Sequence, residues 1–549
     1  MSSGYEPSCA GDMVGWIIGE STSSHSTILF SPGSIGSVMV GSHVVTYLDG
    51  RCVLGVVESI RSGVPLLSAD VKDTHSVERL VRDDMEWILD RSRYHHGSVR
   101  WVSYVDSLVE RGAVDSPKIP PQPANNVFLA GKEVLRRIFS PPGESWMEIG
   151  SVLGGGVRYK IDVNRLGRHL AILAVTGGGK SNTVCVLTRR MVSSLGATVV
   201  IFDRHGEYSD LGLGVERAKL WRPAAVNPVS LSFGELIQLM DLPGSASVQR
   251  RIIRWLWTGM MEAYRRRVLG ARDVLERAVE VLETAVDKMI SGEKTSSKNP
   301  LEDAMKKIVG IAPDYKAPTA KLDQFLGVLD KFNDLLEYYR FAINPDMPTD
   351  IESIVPPGKA TIMDLSMLDD IAADAVVSHY LRRLLRGRIN AVKGIQAGEI
   401  YRYPVLFVIE EAHILIPKDE HRLTKVWASR VAREGRKFGA GLVIVSQRPK
   451  RLDPDVLSQT NNKIILKIVE PQDIRYVQSA SEELSEDLAS ILPSLNTGEA
   501  LIMGSMTRIP AVVKIDKCET ETGGADIDMV AEWRQLREGE EVDLGEYAL

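Results

Sequence analysis

The chain is 549 residues long, 44% apolar and 25% charged, with a formal net charge of −6. That is the balance of an ordinary globular protein, and the length exceeds what one core can serve, so three or four folding units are expected. No run approaches the roughly eighteen consecutive apolar residues a membrane helix needs, and no basic stretch followed by an apolar one opens the chain, so neither a bilayer span nor a secretory signal is expected.

In chain order, residues 11 to about 115 carry short β-branched runs (GWIIGE, STILFS, SVMVGSHVVTYLDG, RCVLGVVESI) separated by Gly, Ser and Asp-Gly turn signals. Strands at this spacing favour a small barrel or sandwich. A helical stretch near Val77 to Arg93 and a strand near Ser98 to Val105 follow. Four prolines between Ser116 and Ala124 then read as a semi-rigid linker. From about Arg168 the pattern changes. HLAILAV, ATVVIFD, KATIMDLS, PVLFVIE, AGLVIVSQ and KIILKIV are near-continuous apolar runs of strand length, suited to a parallel sheet covered on both faces. Between the second and third lies a helix-forming region, roughly Ser247 to Tyr339, read as an insertion. The expected class is α/β, divided as residues 1–125 (barrel and linker), 126–246 (core, first part), 247–340 (helical insertion), 341–515 (core, second part) and 516–549 (acidic tail).

That tail holds eleven acids and three basic residues, a local charge of −8 that leaves about +2 for everything before it. The four cysteines, Cys9, Cys52, Cys185 and Cys518, are far apart without a CxxC pair. Neither a zinc site nor a disulfide framework is expected from that spacing, and a reducing cytoplasm fits it.

The chemistry concentrates in a few places. Ala174-Val-Thr-Gly-Gly-Gly-Lys-Ser181 follows a strand and precedes a helical pattern beginning at Asn182, the context a phosphate-binding loop requires. Gly177, Gly178 and Gly179 let backbone N–H groups curl around phosphates, Lys180 reaches their oxygens and the Ser181 hydroxyl can bind Mg²⁺. Thr176 to Asn182 is therefore the expected nucleotide-binding segment, with ATP and Mg²⁺ as the ligands. Val405 to Ile409 is an apolar strand ending in Glu410-Glu411, placed where ligands bind in open α/β sheets. Glu410 is assigned to the Mg²⁺ shell and Glu411 to orienting and polarising the attacking water. Gln447, at the tip of the Gly441–Val445 strand, is a candidate sensor of the γ-phosphate. Asp203, His205 and Glu207 leave two readings open, a metal or subunit contact and plain loop anchors. Arg430, Arg433 and Lys437 share one helical face near Arg436, and Arg265-Arg266-Arg267 offers either a DNA-backbone contact or solvated surface.

With these residues in view the sequence resembles the HerA family, in the HerA–FtsK branch of the RecA-like P-loop ATPases. The matching stretches are Gly167 to Thr183, Asp203-Arg-His-Gly-Glu-Tyr208, Val408-Ile-Glu-Glu-Ala-His413, Arg433 to Gly439 with Ser446-Gln-Arg-Pro449, and Asp453 to Gln459. The N-terminal unit resembles the small barrel that family shares with rotary ATP synthase subunits. The resemblance implies a RecA-like core behind a β-barrel, a hexameric ring threading double-stranded DNA, and work with a NurA-type nuclease on DNA ends. It also implies that Arg436 and Arg168 reach a neighbour's nucleotide and that the C-terminal tail braces an adjacent subunit. Ala174 replaces the family's usual Gly, and Arg204 stands where Pro is common. Two other functions compete, a motor that moves protein and a nucleotide-gated scaffold. The first would need a membrane address, and the second would not need Glu411.

Overall fold

The computed structural model describes residues 9–64, 93–209, 211–292, 299–520, 529–530 and 533–534. The chain forms two compact units, one of residues 1–187, 447–450 and 460–517, the other of residues 188–446, 451–459 and 518–549.

The first unit opens with a closed barrel of β1 (Ala10–Ile18), β2 (His25–Phe30), β3 (His43–Leu48), β4 (Arg51–Gly63), β5 (Tyr94–Tyr104) and β6 (Asn126–Ala130), in the order β1-β2-β5-β4-β3-β6. Closure removes every exposed edge. Inward side chains such as Val14, Ile28, Phe30, Val44, Val57, Val99, Trp101 and Val127 fill the interior. Asp49 and Gly50 both take positive φ, 50° and 79°, and turn β3 into β4 as a two-residue hairpin whose twist matches the strands. The sixth strand was not expected. It pairs with both β1 and β3, so the proline-rich segment joins two staves of one barrel where a linker between domains was anticipated. The cysteine expectation is also corrected. Cys9 and Cys52 form a disulfide, their Cα atoms 6.7 Å apart across 43 residues of sequence, and no cysteine is free among the described residues. Barrel closure creates that proximity, which spacing along the chain cannot reveal.

The same unit continues with β7 (Trp146–Val152), β8 (Arg158–Asp162), β9 (Leu170–Leu173), β15 (Asn462–Ile465), β16 (Glu499–Met503) and β17 (Ala511–Ile515), ordered β9-β15-β16-β17-β7-β8. Only the β9–β15 pair is parallel; the remaining pairs of this series are antiparallel. The second unit carries five parallel strands, β10 (Val199–Asp203), β11 (Ala218–Trp221), β12 (Ala360–Asp364), β13 (Val405–Ile409) and β14 (Ala440–Ser446), in the order β11-β12-β10-β13-β14. The six apolar runs read from sequence are β9, β10, β12, β13, β14 and β15, every residue of them buried. β7, β8, β11 and β17 escaped that reading because their polar and apolar residues mix, and β16 because its apolar run, Ala500 to Met503, is only four residues long.

Helices Ser247–Arg265, Asp273–Ser291, Pro300–Ile308 and Leu322–Glu337 lie between β11 and β12 in the second unit. Their buried stripes, including Ile252, Trp255, Leu256 and Met260 in the first and Phe325, Val328, Phe332 and Leu335 in the last, recur at helical spacing and bury one face of each. Asn299 caps the third of these helices ahead of Pro300, whose missing N–H is harmless at that position. No helix among the described residues is long and apolar enough to cross a membrane. The expected helix near Val77 to Arg93 lies outside the described residues apart from Arg93, as does most of the acidic tail.

Candidate active site

Strand β9 runs into Ala174 and then the loop through Gly179, and the helix Lys180–Leu195 begins at the lysine. Gly177 and Gly179 have φ of 72° and 101°, backbone that side chains rarely adopt. A Cβ on Gly178 would sit 3.0 Å from Ala174 Cβ and 3.0 Å from Val175 O. Ala174 is buried and is not among the positive-φ residues, so the alanine that replaces the usual glycine is accommodated. Neighbouring backbone fixes the loop: Val175 N donates to Lys467 O (2.9 Å), Gly178 N to Val175 O (3.1 Å) and Gly498 N to Gly178 O (3.3 Å). The Thr183 hydroxyl donates to Gly179 O at 2.8 Å, satisfying a carbonyl at the helix start. Among the described residues Lys180 Nζ makes only a long 3.4 Å contact with Val175 O. A glycine cradle at a helix N-terminus, with a weakly committed ammonium beside it, fits a polyphosphate.

Two further residues meet this loop. Thr176 Oγ1 donates to Gln447 Oε1, which puts the candidate sensor in direct contact with the phosphate loop. Asn182 Nδ2 donates to Asp516 O at 2.8 Å, so its amide ties the loop's helix to the end of β17's chain. Arg158 pairs with Asp516 as well. Arg168 closes a short 3₁₀ turn, Val163–Arg168, and its carbonyl accepts from Asn461 N at 3.2 Å.

The second unit holds the acids. Glu410 and Glu411 follow β13 and are both buried. Tyr208, fully buried, donates its hydroxyl to Glu410 Oε1. Burial pushes the Glu410 carboxyl up to about 8, and the nearby negative charges of Glu207, Glu411 and Asp203 add to it, against the Tyr208 bond. A divalent cation beside this carboxyl would favour its ionised form, and a carboxylate oxygen is the kind of donor Mg²⁺ takes, so Glu410 fits the part assigned to it. Asp203 builds the loop that presents Tyr208. Its carboxylate accepts from the amides of His205 (3.2 Å), Gly206 (2.9 Å), Glu207 (3.2 Å) and Tyr208 (2.8 Å). Asp203 is thus a loop anchor in this structure, while the His205 side chain is exposed.

Glu411 has a φ of 45°, a left-handed conformation costing a non-glycine residue on the order of 1 kcal/mol. Its Oε2 lies 3.0 Å from His413 Nδ1, which lies 3.3 Å from Ser446 Oγ at the end of β14. Tyr208, His413 and Ser446 were missed as site residues in the sequence, although each stands in a stretch that carries the family resemblance. A buried polar residue next to a candidate catalytic strand was the available signal.

Among the arginines, Arg436 projects exposed from the helix Leu423–Phe438 and has no hydrogen-bond or ion-pair partner among the described residues. Glu434, its near neighbour, pairs with Arg430 at 3.5 Å, and Arg433 Nε donates to Ser429 O. Arg265 and Arg266 both pair with Glu262 on an exposed surface. Arg204 donates to the carbonyls of Leu365 and Leu368 and pairs with Asp370 at 2.5 Å, contacts a proline could not make.

A strand–glycine loop–helix ending in Lys-Ser, and a buried acid pair at the tip of a parallel strand, define an ATP-hydrolysing enzyme of the P-loop class. Family models match the chain twice, as a HAS barrel domain over residues 14–105 and as the central domain of helicase HerA over residues 147–384. The DNA double-strand break repair helicase HerA of Sulfolobus acidocaldarius is 38% identical over 96% of this chain and 98% of its own length. Its namesake from Saccharolobus solfataricus is 37% identical over 97% and 98%. The chain belongs to the HerA family. Among solved structures, the bacterial conjugative coupling protein TrwB is similar at 13% identity and a TM-score of 0.47, over 72% of this chain and 93% of that one.

Proposed function

We propose that the protein is an ATP-driven translocase on double-stranded DNA that acts in double-strand break repair, as a hexameric ring in the cytoplasm with a NurA-type nuclease. The observation that carries this reading is similarity along nearly the whole chain to relatives named as break-repair helicases. In this reading Thr176 to Asn182 bind the nucleotide phosphates, and Lys180 pairs with the β- and γ-phosphates. Ser181 and Glu410 hold Mg²⁺, which when bound neutralises charge on the phosphates. Glu411 orients the attacking water and accepts its proton. The hydrogen bond between Thr176 and Gln447 supports a role for Gln447 in registering whether the γ-phosphate is present. Arg436 and Arg168 serve the nucleotide of a neighbouring subunit, and residues 516–549 brace that neighbour.

The deciding experiment measures ATPase rate with and without linear duplex DNA, alongside duplex affinity across a salt series. Duplex DNA is expected to stimulate turnover, and affinity to fall steeply between low and physiological salt with little sequence dependence. A rate indifferent to duplex DNA would refute the reading, as would affinity insensitive to salt. Turnover in Lys180→Ala should collapse while the fold survives.

A further inference from the structure

Glu411 occupies an unusual place. Its backbone is left-handed, its side chain does not cap the short helix Ala412–Leu415 that starts beside it, and its carboxylate is buried. A glutamate has three side-chain torsions, and a base that must face one water molecule cannot leave them loose. His413 stands beside this carboxylate, its Nδ1 3.0 Å from Oε2. His413 is buried too, and Ser446 Oγ stands 3.3 Å from the same nitrogen, so the ring is held between the carboxylate and the end of β14.

We propose that His413 is a positioning residue for hydrolysis: its imidazole, 3.0 Å from Glu411 Oε2 and hydrogen-bonded through Nδ1 to Ser446 Oγ, holds the carboxylate so that the other oxygen faces the attacking water. The inference rests on Glu411 being the base. It adds a partner through which β14, whose next residue is Gln447, touches the group that activates water. The arrangement follows a general pattern in which the residue doing proton transfer is itself oriented by a buried third group. A histidine kept only to fill space would be replaceable by a leucine of similar volume without loss of rate.

The test uses the full chain with His413→Leu and His413→Asn, each made alone and together with Glu411→Gln. Single-turnover hydrolysis of labelled ATP, ATP affinity and melting temperature are measured for all of them. With Glu411 present, His413→Leu is expected to slow hydrolysis about 10- to 100-fold, the range for losing a close polar contact to a charged group, while ATP affinity stays within twofold. His413→Asn, which keeps an N–H donor near the position of Nδ1, should recover most of the rate. With Glu411→Gln the leucine change should cost less than twofold further, because the group it acts through is gone. Equal losses in both backgrounds would overturn the proposal, as would an asparagine variant that melts normally yet is as slow as leucine. Wild-type hydrolysis by Glu411→Gln itself would instead remove the base assignment on which the proposal stands.

Discussion

Gly179→Ala tests the phosphate loop through its backbone. The residue has φ +101°, outside even the left-handed helical region, where an L side chain costs about 1–3 kcal/mol. Space is short as well: a Cβ would lie 3.3 Å from Gly498 N, 3.3 Å from Leu466 Cδ2 and 3.4 Å from Gly498 Cα. Two of these atoms are backbone, so relief must come from the loop. We expect a combined cost of about 2–3 kcal/mol, which the chain can meet by letting the loop abandon its curl. Lost from binding, that is on the order of 30- to 150-fold in ATP affinity. Isothermal titration with ATP and a melting scan would be run beside Gly33→Ala, where the glycine has no positive φ and a Cβ meets nothing within 4 Å. The control should match the parent in both measurements. If Gly179→Ala binds ATP within twofold of the parent and melts at the same temperature, the loop does not need this conformation and the argument fails.

Three other expectations follow from particular contacts. Arg436 is exposed and unpartnered among the described residues. If it serves a neighbour, mixing inactive Arg436→Ala and Lys180→Ala subunits should restore some ATPase activity, and mixed assemblies with none would assign it a role within one subunit. His43 on β3 is buried against Phe139 with its Nε2 unbonded among the described residues, and burial lowers its pKa from 6.5 to about 4. The unfolded chain then binds the extra proton first, so stability is full above about pH 6.5 and falls by about 3 kcal/mol on acidification through pH 4. Melting curves of His43→Leu should lack that portion of the acid slope, and parallel pH profiles for parent and variant would contradict the assignment. Reducing the Cys9–Cys52 bridge frees a loop of 43 residues, worth up to about 4 kcal/mol of barrel stability by chain entropy. An unchanged melting temperature after complete reduction, verified by thiol titration, would show that the bridge contributes nothing.

What could be read from the sequence divides along a physical line. Uniformly apolar runs such as ATVVIFD and PVLFVIE advertise strands buried on both faces, and Gly177-Gly-Gly-Lys-Ser181 advertises a loop whose shape only glycine tolerates. Those signals are local. β6 is only five residues long and follows a proline-rich stretch, so its place in the barrel depends on partners about a hundred residues earlier. The Tyr208–Glu410 bond joins residues 202 positions apart, and no periodicity marks it. His413 and Ser446 acquire meaning only when β13 and β14 lie side by side. Arg204 was visible as a departure from the family, but its bond to Asp370 was not.

The late arrival of the last stave governs how this chain can be shortened or made. β1 pairs along one side with β6, and β3 pairs with the same strand. A fragment ending at residue 125 would leave both with bare amide and carbonyl rows, the kind of edge that recruits strands from other molecules. A fragment ending just after Ala130 would not. On the ribosome, likewise, the first five strands wait with an open seam until Asn126 to Ala130 emerges. The interval in which the nascent chain is sticky is therefore set by the length of the segment between β5 and β6.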